Sequence, residues 1–342
     1  MADVARAAGV SRSTVSYVLS GERPISEQTR QRVLEAMQAL HYTPNVFAQG
    51  LAGKRTGIIA LIFPIGQAGF NLTDFEYIQA ASEQARTEGY QLLLWPYGAD
   101  DVEELKKVIN QGIVEGVVLM EVRTFDPRVQ FLLDTKMPFI TIGRTTGEQR
   151  QAFVDSDFEA IGEMAIDFAA ERGHTRCAYL TRPDWELEAG HGPTVKMRAA
   201  VLRAAEAKGM DVSVFPAPAT FDGGWDIYRT IRTEVSDMTA LLTFNEAAVP
   251  GFLAAAMSDG LRIPEDLSII GLNSSDGGAR TCHPALTTFS VNHRELAQLA
   301  VGHLVRSLND EKTASFQTLL SPQLTERAST PPEHKLPGGP HD

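Results

Sequence analysis

The sequence predicts an α/β protein with two doubly wound parallel-sheet lobes behind a small helical unit. The chain has 342 residues, more than one hydrophobic core of about 250–300 residues accommodates. Residues 1–56 carry seven Lys and Arg against four acids, a net charge of +3. The whole chain carries −12, so the remainder carries −15. A basic head on an acidic body is expected when only the head meets phosphates.

The head should contain three helices. Residues 2–9 are rich in alanine and end at Gly9, a suitable position for a helix C-cap. Ser11 then stands where the N-cap of a second helix belongs. Val15 and Leu19 mark the apolar side of that helix at helical spacing. The two-residue turn between the helices predicts a helix-turn-helix corner, and a third helix should begin near Ser26.

The second helix therefore presents arginine and hydroxyl groups at its exposed N-terminal end. A major groove of DNA accepts one α-helix, and base edges bind arginine forks and short polar side chains. The pattern favours DNA binding, while a purely structural three-helix cap has the same appearance.

Alternating strands and helices follow. The run at 56–64 is continuously apolar, as in a buried parallel strand, and two consecutive series of such units predict two lobes. Open α/β lobes bind ligands at the carboxyl ends of their strands. We therefore expect ligand contacts in a set of loops at these ends: 66–72, 143–147, 155–157, 182–193, 243–246 and 272–278.

Several segments resemble the lactose-repressor/galactose-repressor (LacI/GalR) family of bacterial transcription regulators. They are DVARAAGVSRSTVS, TRQRV, YTPN and LAGKRTG in the head, and ERGH, IPEDLSIIG and PALTT in the body. The resemblance extends from residue 1 to about 330. It implies a type I periplasmic-binding-protein-like fold for the lobes. It also implies a homodimeric repressor of double-stranded operator DNA whose affinity a small molecule between the lobes controls.

The resemblance implies DNA contacts in the second helix and in a hinge helix after the Pro-Asn pair. Base reading falls on Arg12 and Ser13, and phosphate or capping roles fall on Ser11, Thr14 and Ser16. Tyr17 replaces the arginine that is usual in the family. The hinge positions are Asn45 and Ala48, with Leu51 as the wedge in the minor groove and Gly50 as a weakening departure.

The same resemblance implies an effector site. Its carried-over positions are Phe70, Asn71, Arg144, Asp157, Asn245 and Asn273. Three further candidates come from departures from the family pattern: Trp185 in a longer loop, Arg198 near a shifted basic position, and Phe221 close to a usual aromatic. A carbohydrate is the preferred effector, with a purine or nucleoside as the alternative.

From these expectations we predict the domain boundaries. The headpiece spans 1–44, the hinge 45–56 and the core 57–330, followed by a disordered tail at 331–342. The N-lobe comprises about 57–150 with 286–315, and the C-lobe about 151–285 with 316–330.

Other classes find little support in the sequence. It contains no phosphate-binding loop, no nucleophile elbow, no metal-ligand spacing and no run long enough for a membrane span. We therefore expect a cytoplasmic protein that is not an enzyme and has no cofactor or metal. A solute-binding protein of the periplasmic type shares the two lobes and is the alternative from another class.

Overall fold

The structure is a computed structural model that describes residues 1–20, 23–42, 55–64, 71–146, 151–309 and 316–331. The chain divides into two compact units, residues 1–56 and 57–342. Within the described residues, no helix is long and apolar enough to cross a membrane.

The N-terminal unit contains three described helices: α1 (Ala2–Ala8), α2 (Arg12–Ser20) and α3 (Glu27–Ala39). Gly9 ends α1 in the left-handed conformation, with a φ of 63°. The core of the unit contains Val4, Val15 and Val33, which are completely buried. The sequence pattern also places Leu34 on the apolar stripe of α3, but its side chain is 42% exposed.

The first lobe, here the N-lobe, contains a six-stranded sheet in which all neighbouring strands are parallel. The strands are β1 (Ile58–Ile62), β2 (Gln91–Trp95), β3 (Gly116–Leu119), β4 (Phe139–Ile142), β5 (Ala152–Ser156) and β11 (Gln317–Leu320). Their order in the sheet is β11-β5-β4-β3-β1-β2. The helices of this lobe are α4 (Leu72–Thr87), α5 (Val102–Asn110), α6 (Pro127–Thr135) and α13 (His293–Leu308).

The second lobe, here the C-lobe, also contains a six-stranded sheet. The strands are β6 (Arg176–Thr181), β7 (Asp211–Pro216), β8 (Ala240–Thr243), β9 (Ser268–Leu272), β10 (Thr287–Ser290) and β12 (Gln323–Thr325). Their order is β12-β10-β9-β8-β6-β7, and among these described strands only β12 is antiparallel to its neighbour. The helices are α7 (Phe158–Glu171), α8 (Asp184–Glu188), α9 (Gly192–Lys208), α10 (Phe221–Glu234), α11 (Val249–Ser258) and α12 (Asp276–Thr281).

The chain passes between the lobes three times, and the crossings differ from the predicted lobe boundaries. Strand β5 at 152–156 pairs with β4, so it belongs to the N-lobe rather than opening the C-lobe. Strand β10 at 287–290 pairs with β9 and stays in the C-lobe, whereas β11 at 317–320, predicted for the C-lobe, pairs with β5 in the N-lobe. The physical reason is that a strand belongs to the lobe of the strand with which it pairs, and this pairing need not follow the order along the chain.

Helices cover both faces of each sheet, which is why the central strands are almost continuously apolar. Helices α4 and α13 pack together on the N-lobe, and α7 and α9 pack together on the C-lobe. Gly162 allows the second of these contacts, because a Cβ atom there would lie 2.8 Å from the Cβ of Ala200. Residues at the carboxyl ends of strands from both lobes line one cleft.

Candidate functional site

The N-terminal end of α2 is a polar surface. The Ser11 side chain accepts a 3.0 Å hydrogen bond from the backbone N–H of Thr14 and so caps the helix. Its oxygen also lies 2.7 Å from the Ser13 hydroxyl and 2.8 Å from the Thr14 hydroxyl. The side chains of Arg12 and Ser13 are exposed. The capped helix therefore presents a guanidinium and a hydroxyl to solvent from a fixed backbone.

Tyr17 contacts a basic residue outside α2. The guanidinium carbon of Arg23 lies 4.9 Å from the centroid of the Tyr17 ring, a cation–π distance. Ser16 is half-buried on the same helix. The hinge positions Asn45, Ala48 and Leu51 lie outside the described residues, so the structure gives no account of them.

The second unit contains a cleft of about 760 Å³, including its open mouth, between the carboxyl ends of the strands of the two lobes. Its polar lining residues are Asn71, Thr73, Asp74, Tyr77, Glu121, Asp155, Ser156, Arg182, His191, Glu246, Asn273 and Ser274. Its apolar lining includes Phe158 and Phe244, whose rings pack edge to face with centroids 6.1 Å apart. The cleft thus combines an aromatic wall with several carboxylates.

Two of the acids on the N-lobe side of the cleft, Asp74 and Glu121, have shifted pKa values. Burial raises the pKa of Asp74 to about 7, against the lowering effect of its hydrogen bond from the Asn71 backbone, and the nearby charge of Glu121 adds to the rise. Burial also opposes ionisation of Glu121, but the charge and hydrogen bond of His191, together with Arg182, outweigh it and lower the pKa of Glu121 to about 2. At neutral pH Glu121 is therefore ionised. Asp74 is only partly ionised, because its pKa lies near 7.

The C-lobe supplies a basic side chain and an imidazole. Arg182, which follows β6, donates two hydrogen bonds to Glu186, of 2.5 Å and 2.9 Å. His191 contacts the Glu121 carboxylate across the cleft through Nε2, while its Nδ1 lies 2.8 Å from the Thr194 hydroxyl. The carboxylate of Glu121 in one lobe is thereby joined to a ring in the other.

Asp155 at the end of β5 is bound by two cations. Lys196 of α9 lies 2.5 Å from one of its carboxylate oxygens, and Arg144 Nε donates to the same oxygen over 3.0 Å. Burial lowers the pKa of Lys196, although the adjacent Asp155 charge opposes the change. Because Lys196 belongs to the C-lobe and Asp155 to the N-lobe, this pair is a second ionic contact across the cleft.

Glu246 and Asn273 complete the C-lobe wall. The Glu246 carboxylate accepts hydrogen bonds of 2.8 Å from the Thr73 hydroxyl and 2.9 Å from the backbone N–H of Ser275. Asn273 has a φ of 55°, in the left-handed region that asparagine tolerates better than most residues. Its amide donates over 3.4 Å to the Ser156 hydroxyl of the N-lobe.

The structure brings only part of the predicted effector set into the cleft. Asn71 and Asn273 line it, and Arg144 reaches it through Asp155. Phe70 lies outside the described residues. Asp157 is instead the N-cap of α7, where its carboxylate accepts from the Ala160 N–H over 3.1 Å.

The other predicted effector residues do not line the cleft. The Asn245 side chain is buried and donates to the carbonyl oxygens of Thr181 and Ala217, so it joins three strand ends. Trp185 is 59% exposed on α8. Arg198 lies 3.8 Å from Asp184. Phe221 is half exposed and stacks on Trp225 at the start of α10.

The cleft residues that the sequence does not predict also lie after the carboxyl ends of strands. Glu121 comes directly after the apolar strand GVVLM, yet the loop after β3 was not among the expected ligand loops. Thr73 and Asp74 lie in the first turn of α4, just after the expected loop 66–72. A complete survey of polar residues behind every apolar strand could have found Glu121, whereas Thr73 needed the position of the helix.

Comparisons with known proteins agree with this architecture. The family model described as bacterial regulatory proteins, lacI family, matches residues 1–45. The periplasmic binding protein-like domain matches residues 166–330. The ribose operon repressor of Escherichia coli (strain K12) is 27% identical over 335 residues, which cover 96% of this chain and 99% of that protein.

Two further similarities point the same way. The transcriptional repressor PurR of Escherichia coli O139:H28 is 27% identical over 344 residues, covering 96% of this chain and 95% of PurR. A solved complex of the transcriptional regulator CelR with cellobiose is 25% identical, with a TM-score of 0.71, and the match covers 96% of this chain and 98% of CelR. These relatives are regulators and not enzymes, as the sequence predicts. The chain therefore carries a LacI-family helix-turn-helix domain ahead of a periplasmic-binding-protein-like domain, and its relatives include repressors of the LacI family.

Proposed function

We propose that this regulator represses transcription and that a carbohydrate in the cleft controls its affinity for operator DNA. The observation that carries the proposal is the lining of the cleft, where carboxylates from both lobes, Glu121 and Glu246, stand near the Phe158–Phe244 ring pair. Sugars offer adjacent hydroxyl donors and an apolar ring face. Carboxylates accept such hydroxyls and aromatic rings cover such faces, so this lining suits a sugar.

The proposed DNA surface is the exposed end of α2. Arg12 and Ser13 would read base edges in the major groove, while the capped helix end at Ser11 would meet phosphates. The hinge at 45–56 would enter the minor groove, as the family resemblance implies. We further propose a homodimer, because two symmetric headpieces fit half-sites about one helical turn apart. A protein that acts on DNA in this way would work in the cytoplasm.

The proposed coupling uses contacts that cross the cleft. Thr73 binds Glu246 and Glu121 binds His191, each pair joining the two lobes. A ligand that supplies hydroxyls to these carboxylates changes the relative energies of lobe arrangements. Operator affinity then changes by the difference in ligand affinity between those arrangements.

The names of the relatives support a sugar effector. The ribose operon repressor and the cellobiose complex of CelR name sugars. The aromatic wall and the Asn273 amide would also suit a purine base. The carboxylates favour the sugar, because a purine presents fewer hydroxyl donors in one place.

A two-stage experiment tests the proposal. Selection of binding sites from random duplex DNA, followed by fluorescence anisotropy, would first show whether the protein binds a near-palindrome with strong salt dependence. No DNA binding at low salt would favour the solute-binding alternative. Thermal-shift measurements with ribose, glucose, cellobiose, guanosine and hypoxanthine would then test the effector. A ligand at about 100 times its Kd adds roughly 2.7 kcal/mol of stability.

The outcomes separate the effector classes. Stabilisation by a sugar, with release of the selected DNA, is the expected result. Stabilisation by guanosine or hypoxanthine alone would replace the carbohydrate with a purine or nucleoside and leave the DNA-binding part intact.

A further inference from the structure

The N-lobe buries an ion pair at the start of α6. The side chains of Arg128 and Asp126 are 1% and 0% exposed. Arg128 Nε donates to one carboxylate oxygen over 3.0 Å, and its Nη2 donates to the other over 2.8 Å. Buried pairs of this kind often add little stability compared with apolar residues of the same size. The pair therefore calls for a role other than stabilising the core.

The pair holds both ends of the loop that follows β3. Arg128 Nη2 also donates to the carbonyl oxygens of Met120, over 3.3 Å, and Glu121, over 3.0 Å. Asp126 accepts a 3.0 Å hydrogen bond from the backbone N–H of Arg123. The guanidinium and the carboxylate together fix the path of the backbone from 120 to 126.

The loop contains a strained residue at the point where Arg128 binds it. Glu121 has a φ of 50°, in the left-handed region where a residue with a Cβ is disfavoured. Such conformations persist when the surroundings impose them, and they occur often at ligand sites. The hydrogen bond from Arg128 to the Glu121 carbonyl is one contact that imposes it.

The same loop joins the N-lobe to the C-lobe beside the cleft. The backbone N–H of Gly192 donates to the Val122 carbonyl over 2.9 Å, and Thr124 N–H donates to the Gly190 carbonyl over 2.8 Å. Gly192 is needed for this approach, because a Cβ there would lie 2.7 Å from the Val122 oxygen. Glu121 therefore directly precedes the residue whose carbonyl forms this backbone bridge.

We propose that Arg128 is a positioning residue of the effector site. It holds Glu121 in the left-handed conformation, and this places the Glu121 carboxylate in the cleft against His191 and aligns the backbone bridge to 190–192. The inference rests on the proposed function in that it takes the cleft as the effector site. The positioning itself is independent of which effector binds.

The first test compares glycine and alanine at position 121 in two backgrounds. Glu121→Gly and Glu121→Ala both remove the carboxylate, but only glycine accepts a positive φ without strain. In the otherwise unchanged chain we expect Glu121→Gly to melt about 2–4 °C above Glu121→Ala. In the R128M/D126N background the loop can relax, so this advantage should disappear. An equal advantage in both backgrounds would overturn the proposal.

The R128M/D126N background is chosen to keep the lobe folded. It leaves no unpaired buried charge, and an asparagine at 126 can still accept the 2.9 Å hydrogen bond from the backbone N–H of residue 128. If this variant does not fold, Arg128→Lys is used in its place. The lysine ammonium keeps the positive charge but cannot bind both oxygens of the carboxylate and the two carbonyls at once. The comparison of glycine with alanine is then made in that variant, with the same criterion.

The second test reads the opposite lobe. Hydrogen exchange followed by mass spectrometry should show faster exchange in the peptide containing 190–192 when R128M/D126N is introduced. The matched control is R262M/D266N, which removes an exposed arginine–aspartate pair of the C-lobe and should leave that peptide unchanged. Unchanged exchange at 190–192 in R128M/D126N would restrict Arg128 to a structural role. Operator binding, measured on the same preparations, separately tests the proposed function.

Discussion

The hydroxyl of Thr73 donates a 2.8 Å hydrogen bond to the carboxylate of Glu246, which joins the first turn of an N-lobe helix to a C-lobe loop. The same carboxylate accepts from the backbone N–H and the hydroxyl of Ser275. Glu246 therefore contacts both lobes through neutral donors. A ligand hydroxyl entering the cleft would compete directly with Thr73 for this acceptor.

Replacing Thr73 with valine should weaken the contact between the lobes. The change removes the hydrogen bond to the charged Glu246 and the 3.2 Å hydrogen bond that the Thr73 hydroxyl accepts from the Ser275 N–H, but it leaves Glu246 its partners on Ser275. We therefore expect the free energy of unfolding to fall by about 1.5–3 kcal/mol. Thr73→Ser keeps the hydroxyl and is the matched control. Urea denaturation of both variants measures the effect, and equal stability of Thr73→Val and the unchanged protein would argue against the contact.

Arg12→Ala should reduce operator binding without affecting the fold. The Arg12 side chain is exposed at the start of α2, and a bidentate contact to a base contributes about 1–3 kcal/mol of discrimination. We expect a loss of this size on the selected DNA and a smaller loss on unrelated DNA, measured by fluorescence anisotropy.

Arg203→Ala is the control for this experiment. It removes the same charge from the second unit, where Arg203 lies 3.6 Å from an exposed glutamate, Glu159. The control should leave DNA binding unchanged. If Arg12→Ala weakened binding to all DNA sequences equally, Arg12 would contact phosphates and would not read bases.

Tyr17 should act on DNA through Arg23. The ring lies 4.9 Å from the guanidinium carbon, and an exposed cation–π contact contributes about 0.5–1 kcal/mol. Tyr17→Ala should therefore weaken operator binding by about this amount, because Arg23 loses its fixed position. Tyr17→Phe retains the ring and should bind as the unchanged protein does. Anisotropy titrations distinguish this result from a direct hydroxyl contact, which Tyr17→Phe would also remove.

Asp74 should make the stability of the protein fall as pH rises from about 4 to about 7. Burial raises the pKa of this carboxyl from 3.8 to about 7, so the folded state keeps a proton that the unfolded chain has lost in this range. Asp74→Asn resembles the protonated form, and its amide oxygen can still accept from the Asn71 N–H. The variant should therefore be close to the unchanged protein near pH 4 and more stable above pH 7.

Urea denaturation at pH 4.5, 6 and 8 measures this difference between the two proteins. Groups that titrate alike in both proteins cancel when the two are compared at each pH, and Glu121, with a pKa of about 2, does not titrate in this range. A constant difference in stability across the three pH values would contradict the raised pKa of Asp74.

The sequence predicts the elements of this fold well because their signals are local. Caps at Ser11 and Gly9, together with helical spacing in 12–20, are sufficient to place the helices of the head. Buried parallel strands appear as continuous apolar runs. The lobe to which β5 belongs could not be predicted in the same way, because strand partners are set by tertiary packing over long sequence separations.

The cleft is predicted less completely for a similar reason. Strand-end loops locate it, and Asn71 and Asn273 are found in it. Glu121 also follows an apolar strand, but its left-handed conformation and its contact with His191 of the other lobe are tertiary features that no local pattern reveals. Phe221 shows the opposite failure, since an aromatic residue near an expected position stacks on Trp225 outside the cleft lining.

Asn245 is a predicted effector residue that has a structural role in the fold, and mutation can distinguish the two roles. Its amide donates to the carbonyls of Thr181 and Ala217 over 3.1 Å and 2.9 Å, and the side chain is buried. Asn245→Ala leaves both carbonyls without this donor, so the free energy of unfolding should fall by about 1–3 kcal/mol. The affinity of the folded fraction for whichever ligand stabilises the protein should be unchanged. Asn273→Gly should instead lower the ligand affinity, because the Asn273 amide lines the cleft and glycine accepts the positive φ of this position. Urea denaturation and calorimetric titration of both variants decide the matter, and a loss of ligand affinity in Asn245→Ala would return this residue to the binding site.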